Sequence, residues 1–141
     1  MARRDARLRD EARELMRFVG LEAYWSLNAN SMPYGALKRL EIARALAAKP
    51  RILFLDEPAA GLNSKETAEI DELVQKVAAS GITVVLVEHD MKMVMNISDR
   101  ILVLERGHLV ENGSHAELVQ RGGFYTELVR HQQLLEEIET L

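Results

Sequence analysis

The sequence predicts an α/β fold with a mainly parallel sheet flanked by helices. An unbroken apolar run at 52–55 and a mainly apolar run at 82–87 have the composition of strands that are buried on both faces, as in parallel sheets. Segments with helix-forming residues and an apolar face precede, separate and follow these runs. Alternation of buried strands and helices along the chain is typical of α/β domains.

Composition narrows the classes of protein to which the chain can belong. The net charge is −4, so charge gives no reason to expect nucleic acid as a partner. The absence of cysteine rules out disulfides and thiolate metal sites and fits a reducing cytoplasm. No apolar run is long enough to span a bilayer, so we expect any link to a membrane to go through a partner.

The first third of the chain is predicted to be helical. Residues 3–19 form a charged helix with a thin apolar stripe, and Gly20 is a plausible end point. The segment 21–30 is expected to be a short, irregular connection. A second helix is expected over 35–48 because strong helix formers fill it, and Pro50 prevents its continuation.

Capping residues mark the next helices. Asn63 and Glu66 have the spacing of a capping box, and the helix that they begin is expected to end near Gly81. Asp90 can cap a short helix after the second strand.

The final part of the chain combines a hairpin with two helices. A strand at 101–104 turns into a second strand at 108–111. Ser114 and Glu117 form another capping box, and two glycines at 122–123 precede the last helix.

Polar residues follow both predicted parallel strands, where ligands bind in open α/β sheets. Asp56 and Glu57 end the first strand. One carboxylate can hold Mg²⁺ through water, and the other can orient or deprotonate an attacking water. Nucleotide hydrolysis requires both roles. A helix cap beside a solvated acid is the alternative interpretation.

Two further features could contact phosphate. His89 follows the second strand and could bond a terminal phosphate, although a capping or surface histidine is the simpler interpretation. Pro33 suits a first helical turn, which leaves the amides of Tyr34, Gly35 and Ala36 as an anion site. An ordinary junction between a loop and a helix would have the same sequence.

Taken in order, these residues resemble the ATPases of ABC transporters. The family's order is a signature motif, a strand ending in Asp-Glu, a D-loop and a switch histidine. The signature corresponds to residues 32–36, called the signature segment below, and the strand ending in Asp-Glu corresponds to 52–58. The D-loop corresponds to 60–63, called the D-loop segment, and the part with the switch histidine corresponds to 87–90. The stretches 40–46, 56–63, 88–92 and 98–100 look most like importers of branched-chain amino acids, whereas 122–128 is closer to exporter-type ATPases.

The resemblance implies roles for individual residues with ATP and Mg²⁺ as ligands. Asp56 would hold Mg²⁺ through water, Glu57 would be the catalytic base, and His89 would contact the γ-phosphate. The signature segment would bind the γ-phosphate of ATP held by an opposite subunit, and the D-loop segment would run along the dimer interface. The residues implied to bind the nucleotide are Pro33, Tyr34, Gly35, Ala36, Gly61 and Asn63.

The same resemblance implies a fold and an assembly. The fold would be a partial P-loop NTPase fold of the ABC ATPase type. Residues 1–49 would form part of the helical subdomain with the signature, and residues 50–141 would form the C-terminal part of the catalytic core. Transmembrane permease subunits and a second ATPase subunit, paired head to tail, would be the partners. The location would be cytoplasmic, peripheral at the inner face of the cell membrane.

The sequence departs from the family's pattern at several positions. Pro33, Ala36 and Asn63 replace the usual Ser, Gln and Asp, and the first and third replacements are familiar among the branched-chain importers. None of the five lysines follows a glycine, so the Walker A phosphate loop ending in Gly-Lys-Ser/Thr does not occur.

Two hypotheses follow from the missing loop. The first is a fragment of an ATPase subunit that is inactive alone and needs an N-terminal half with Walker A. The alternative is a non-enzymatic partner that supplies its signature in trans to a complete ATPase.

Overall fold

The computed structural model describes residues 2–139 and confirms the predicted alternation of helices and strands. In chain order, the described elements are α1 Ala2–Phe18, α2 Tyr34–Ala47, β1 Ile52–Asp56, α3 Ser64–Ala79, β2 Thr83–Val87, α4 Met91–Ile97, β3 Ile101–Glu105, β4 His108–Gly113, α5 His115–Arg121 and α6 Phe124–Glu139. Two 3₁₀ turns, Glu22–Tyr24 and Ala29–Ser31, lie between α1 and α2. The chain divides into two compact units, of which the first ends at Val87 and the second begins at Glu88.

The first unit contains the predicted parallel pair of strands. β1 pairs with β2 from Ile52 opposite Thr83 to Asp56 opposite Val87. Helix α3 connects the two strands, as a parallel pair requires. Its apolar face, expected from the sequence, is buried and consists of Ile70, Leu73, Val74 and Val77.

The expectation that these strands are buried on both faces is wrong for the described residues. Leu53 is 5% exposed, but its neighbours Ile52 and Phe54 are 52% and 73% exposed. Val87 on β2 is 57% exposed. Since successive side chains in a strand point to opposite faces, one face of this two-stranded sheet packs inward and the other remains open and apolar.

Side chains of α1, α2 and α3 link the helices of the first unit. Lys76, near the end of α3, donates a hydrogen bond of 2.8 Å to the carbonyl oxygen of Phe18, and its Nζ lies 4.2 Å from the centre of that ring. Arg39 on α2 forms an ion pair of 3.4 Å with Glu69 on α3. These contacts connect α3 to α1 and to α2.

The buried face of α2 differs from the face that the sequence suggested. The helical spacing of Leu37, Leu40, Ala43 and Ala47 predicts that these residues line it. Ala43 is buried, but Ala47 is exposed, and the buried side includes Ile42 and Leu46. Both sides of this helix carry apolar residues, so periodicity alone does not decide which side packs inward.

The second unit contains the predicted hairpin and its own core. β3 and β4 pair antiparallel, and Arg106 and Gly107 form the two-residue turn with φ values of 48° and 81°. Positive φ at both positions is the geometry of a type I′ turn. Ile101, Val103, Leu118, Tyr125 and Val129 form the core, and Met91, Val94 and Met95 pack against it.

Tyr125 is the largest of the fully buried side chains in this core. Its hydroxyl lies 2.8 Å from Nδ1 of His115, so the polar end of the ring has a partner. Burial raises the pKa of Tyr125 and keeps the phenol neutral.

None of the described helices combines the length and the apolar character needed to cross a membrane.

The open sheet face predicts different costs for truncating two adjacent side chains. Leu53→Ala should lower the free energy of unfolding by about 2–4 kcal/mol because it removes buried methyl groups. Phe54→Ala should change it by less than about 0.5 kcal/mol because the ring is already in water. Urea denaturation followed by the fluorescence of Trp25 would measure both. A cost for Phe54→Ala equal to that for Leu53→Ala would contradict the open face.

Candidate functional site

The carboxyl end of β1 presents two adjacent acids. Asp56 is the last residue of the strand and lies opposite Val87 in the parallel pair. The Glu57 amide donates a hydrogen bond of 2.9 Å to the carbonyl oxygen of Val87, which continues the pairing by one residue. Both acidic residues are exposed. The sheet therefore fixes the backbone of both acids and leaves their side chains accessible.

Glu57 has a left-handed backbone conformation with φ of 46°. This conformation costs a residue with a side chain roughly 1–2 kcal/mol. A turn holds it in place, since the Ala60 amide donates to the Glu57 carbonyl oxygen at 3.1 Å. Strained backbone that the surroundings enforce is concentrated at functional sites.

The donor set around Asp56 fits Mg²⁺ held mainly by water and substrate. Residues 2–139 contain no group of three or more His, Cys, Asp or Glu side chains placed to hold a metal ion. Mg²⁺ in nucleotide sites usually has one or two carboxylates, several waters and the phosphates of the substrate as ligands. A single exposed carboxylate at a strand end is compatible with that arrangement.

The D-loop segment ends in the capping box predicted from the sequence. The Asn63 side chain accepts a hydrogen bond of 3.0 Å from the Glu66 amide, and the Glu66 carboxylate accepts one of 3.1 Å from the Asn63 amide. Gly61 has φ of 77°, a conformation that favours glycine. The segment therefore has a defined backbone from Glu57 to the start of α3.

The signature segment leads into α2, whose first residue is Tyr34. Pro33 occupies the N-cap position with φ of −57° and ψ of 153°, and its carbonyl accepts from the Leu37 amide at 3.0 Å. Tyr34 is 52% exposed, whereas Gly35 and Ala36 are buried. The space beside Gly35 is filled by Glu66, because a Cβ at Gly35 would lie 2.7 Å from Glu66 Oε1.

The fold brings the signature segment and the D-loop segment together. A Cβ at Gly61 would lie 3.3 Å from Cε1 of Tyr34, so the tyrosine ring rests against the glycine backbone. No local pattern in the sequence indicated this contact, because the two residues lie on different elements. The only local indication of the contact is the glycine at position 61, and the turn at this position already accounts for a glycine.

His89 lies at the start of the second unit. It follows Val87 by two residues, it is exposed, and its amide donates to the Glu88 carboxylate at 3.3 Å. The next residue, Asp90, caps α4 by accepting hydrogen bonds from the amides of Lys92 and Met93, as predicted. Asp56 and Glu57 belong to the first unit. Joint action of these three residues on one nucleotide stays a prediction.

Known proteins share both the sequence and the fold of this chain. The sequence model of the ABC transporter family matches residues 2–60. The high-affinity branched-chain amino acid transport ATP-binding protein LivG of Salmonella typhimurium is 46% identical over 110 residues, which are 77% of this chain and 43% of LivG. BraF of Pseudomonas aeruginosa, which has the same description, is 46% identical over 101 residues, or 71% of this chain and 40% of BraF.

A solved structure of an ABC transporter component has a similar fold. The ADP conformation of MJ1267, an ATP-binding cassette of an ABC transporter, superimposes with a TM-score of 0.72 at 29% identity, covering 79% of this chain and 44% of MJ1267. The chain thus spans less than half the length of the curated relatives and of the solved structure that it matches.

The left-handed conformation of Glu57 predicts an unusual effect of glycine. The Glu57→Gly variant should have a free energy of unfolding about 0.5–1 kcal/mol higher than that of the Glu57→Gln variant. Glycine adopts the left-handed conformation without strain, and this gain exceeds the cost of its greater conformational entropy in the unfolded chain. Asp56→Gly, in the extended strand, is the matched control and should be destabilising. Urea denaturation followed by Trp25 fluorescence measures all three variants. If Glu57→Gly were no more stable than Glu57→Gln, the strained conformation would be refuted.

Proposed function

This chain belongs to the ABC transporter family, and on that premise we propose that it is part of the ATP-hydrolysing subunit of a branched-chain amino acid importer. The observation that carries the proposal is the end of β1, where the sheet fixes Asp56 and Glu57 side by side and Glu57 takes a left-handed conformation. The similarity to LivG and BraF, whose descriptions name branched-chain amino acid transport, supports the class of transported solute.

In this proposal each residue at the strand end has a separate role. Asp56 would hold a water molecule of the Mg²⁺ shell, and Mg²⁺ when bound would neutralise charge on the phosphates. Glu57 would accept a proton from the water that attacks the γ-phosphate. His89 would bond the γ-phosphate and respond to its loss.

The signature segment and the D-loop segment would act on the nucleotide of an opposite subunit. The positive end of α2 favours a phosphate oxygen, and Tyr34 at its first position is exposed, whereas Gly35 and Ala36 are buried and the Glu66 carboxylate lies beside Gly35. Gly61 and Asn63 lie in the segment that contacts Tyr34, so one face would present both segments to a partner. Head-to-tail pairing of two ATPase subunits gives this face a role.

The partners and location follow from the same proposal. Residues 1–49 would form part of the helical subdomain that meets transmembrane permease subunits, and residues 50–141 would form the C-terminal part of the catalytic core. The protein would be cytoplasmic and peripheral at the inner face of the cell membrane. Nucleic acid has no role in it, consistent with the net charge of −4.

Catalysis would also require a phosphate loop, which residues 1–141 do not contain. The sequence has no Gly-Lys-Ser/Thr, and this loop supplies backbone amides and a lysine to the phosphates of ATP. Its absence removes binding and positioning together. The same absence leaves a second candidate, in which the chain lends only its signature face, where Tyr34 contacts Gly61, to a complete ATPase.

We expect the purified chain to hydrolyse no measurable ATP alone. Addition of an N-terminal half with a phosphate loop, taken from a LivG-type protein, should produce turnover in a phosphate-release assay. Glu57→Gln should then lower the rate by about 10²–10⁴, the usual contribution of a general base. Glu72→Gln, which alters an exposed acid on α3 outside the segments proposed to contact the nucleotide, is the matched control and should retain the rate.

The outcomes separate the two candidates. Rescue only by a full-length ATPase, with no effect of Glu57→Gln, would favour the non-enzymatic role. Turnover by the chain alone that disappears in Glu57→Gln would overturn the requirement for a second polypeptide.

A further inference from the structure

Glu66 is the residue that connects the two segments proposed to face the partner nucleotide. It is the third residue of α3, and its carboxylate completes the capping box by accepting from the Asn63 amide at 3.1 Å. The same carboxylate lies against Gly35, thirty-one positions earlier in the chain, where a Cβ would meet Oε1 at 2.7 Å. One side chain therefore contacts both the D-loop segment and the first turn of α2.

The start of α2 lacks a capping side chain of its own. Pro33 is the N-cap residue and has no side-chain acceptor, and α2 has no acidic residue in its first turn. The positive end of a helix is stabilised by a nearby negative charge, typically over the first turn only. Glu66 supplies that charge from a different helix, at the buried Gly35.

A second contact joins the same two segments. The Tyr34 ring lies against Gly61, with 3.3 Å between its Cε1 and a Cβ placed on the glycine. Glycine is therefore present at both contact points, once on each segment. The Glu66 and Tyr34 contacts together restrict how far the signature segment can move without the D-loop segment.

We propose that Glu66 is a positioning residue that couples the signature segment to the D-loop segment. The carboxylate holds the N-terminal turn of α2 in register with Asn63, so a displacement of either segment is transmitted to the other. The functional meaning of this coupling rests on the proposed function, but the coupling is a property of the folded chain and can be measured without nucleotide.

The second capping box provides a matched control. Ser114 and Glu117 form the same box at the start of α5, and the Glu117 carboxylate likewise lies near a glycine, since a Cβ at Gly113 would lie 2.9 Å from Oε2. That glycine immediately precedes the box. Glu117 thus performs local capping in the second unit, whereas Glu66 also contacts another helix.

Amide hydrogen exchange of the full chain tests the coupling. In Glu66→Gln, the box on α3 should persist because glutamine also serves at this position, so exchange at the Thr67 amide should stay unchanged. Exchange at the Leu37 amide, which bonds to Pro33, should become about five-fold faster because the charge beside α2 is gone. Glu66→Ala should accelerate both amides, and Glu117→Gln and Glu117→Ala should affect neither. Val74, buried in α3, reports any change in global unfolding.

The Gly35→Ala substitution tests the contact with Glu66, because its effect on stability should change sign when Glu66 is removed. Gly35→Ala should lower the urea midpoint of the chain because the methyl group collides with Glu66. In the Glu66→Ala background, the same substitution should raise the midpoint because alanine is the better helix former. Unchanged Leu37 exchange in both Glu66 variants, or the same effect of Gly35→Ala in both backgrounds, would overturn the proposal.

Turnover in the assembly with an added phosphate-loop half provides the functional measurement. Glu66→Gln should lower kcat several-fold while the KM for ATP stays within about two-fold, because the added half holds the nucleotide. A KM that rises while kcat is unchanged would contradict a positioning role. If the assembly of the unsubstituted chain with the added phosphate-loop half showed no turnover, the proposed function would be refuted. The exchange experiment would still decide whether Glu66 couples the two segments.

Discussion

The parallel pairing of β1 with β2 positions the residues on which the proposed chemistry depends. It sets Asp56 opposite Val87 and extends through the bond from the Glu57 amide to the Val87 carbonyl. The chain must then turn sharply, and Glu57 adopts its left-handed conformation at that point. The two acids therefore differ in backbone conformation although they are adjacent in sequence. The proposed function gives them separate roles, one toward a metal-bound water and the other toward an attacking water.

Features encoded by neighbouring residues were predictable from the sequence, whereas features that depend on distant residues were not. The capping box of Asn63 and Glu66 was predicted because its two hydrogen bonds join residues three apart. The exposure of Phe54 was not, since the burial of a strand depends on which elements cover it. The left-handed Glu57 was also missed, because no local signal distinguishes it from an ordinary residue after a strand.

The candidate site shows the same division. The order of motifs led to the resemblance, and the family match confirms the family, while the roles of the acids, the signature segment and the D-loop segment stay predictions. The contacts of Gly35 with Glu66 and of Gly61 with Tyr34 arise only from the packing of α2 against the start of α3. Both glycines give sequence evidence of a close approach, but neither indicates what approaches. Packing therefore adds a physical link between segments that the sequence presented as separate motifs.

The central claim is that Asp56, Glu57 and His89 act on one nucleotide, held by a phosphate loop that residues 1–141 do not contain. A structure of this chain assembled with a phosphate-loop half, Mg²⁺ and a non-hydrolysable ATP analogue tests it most directly. The account predicts that Glu57 lies within about 2.6–3.2 Å of a water in line with the γ-phosphate and that His89 contacts the same phosphate. A nucleotide bound elsewhere, with Glu57 and His89 on different sides of the assembly, would contradict it.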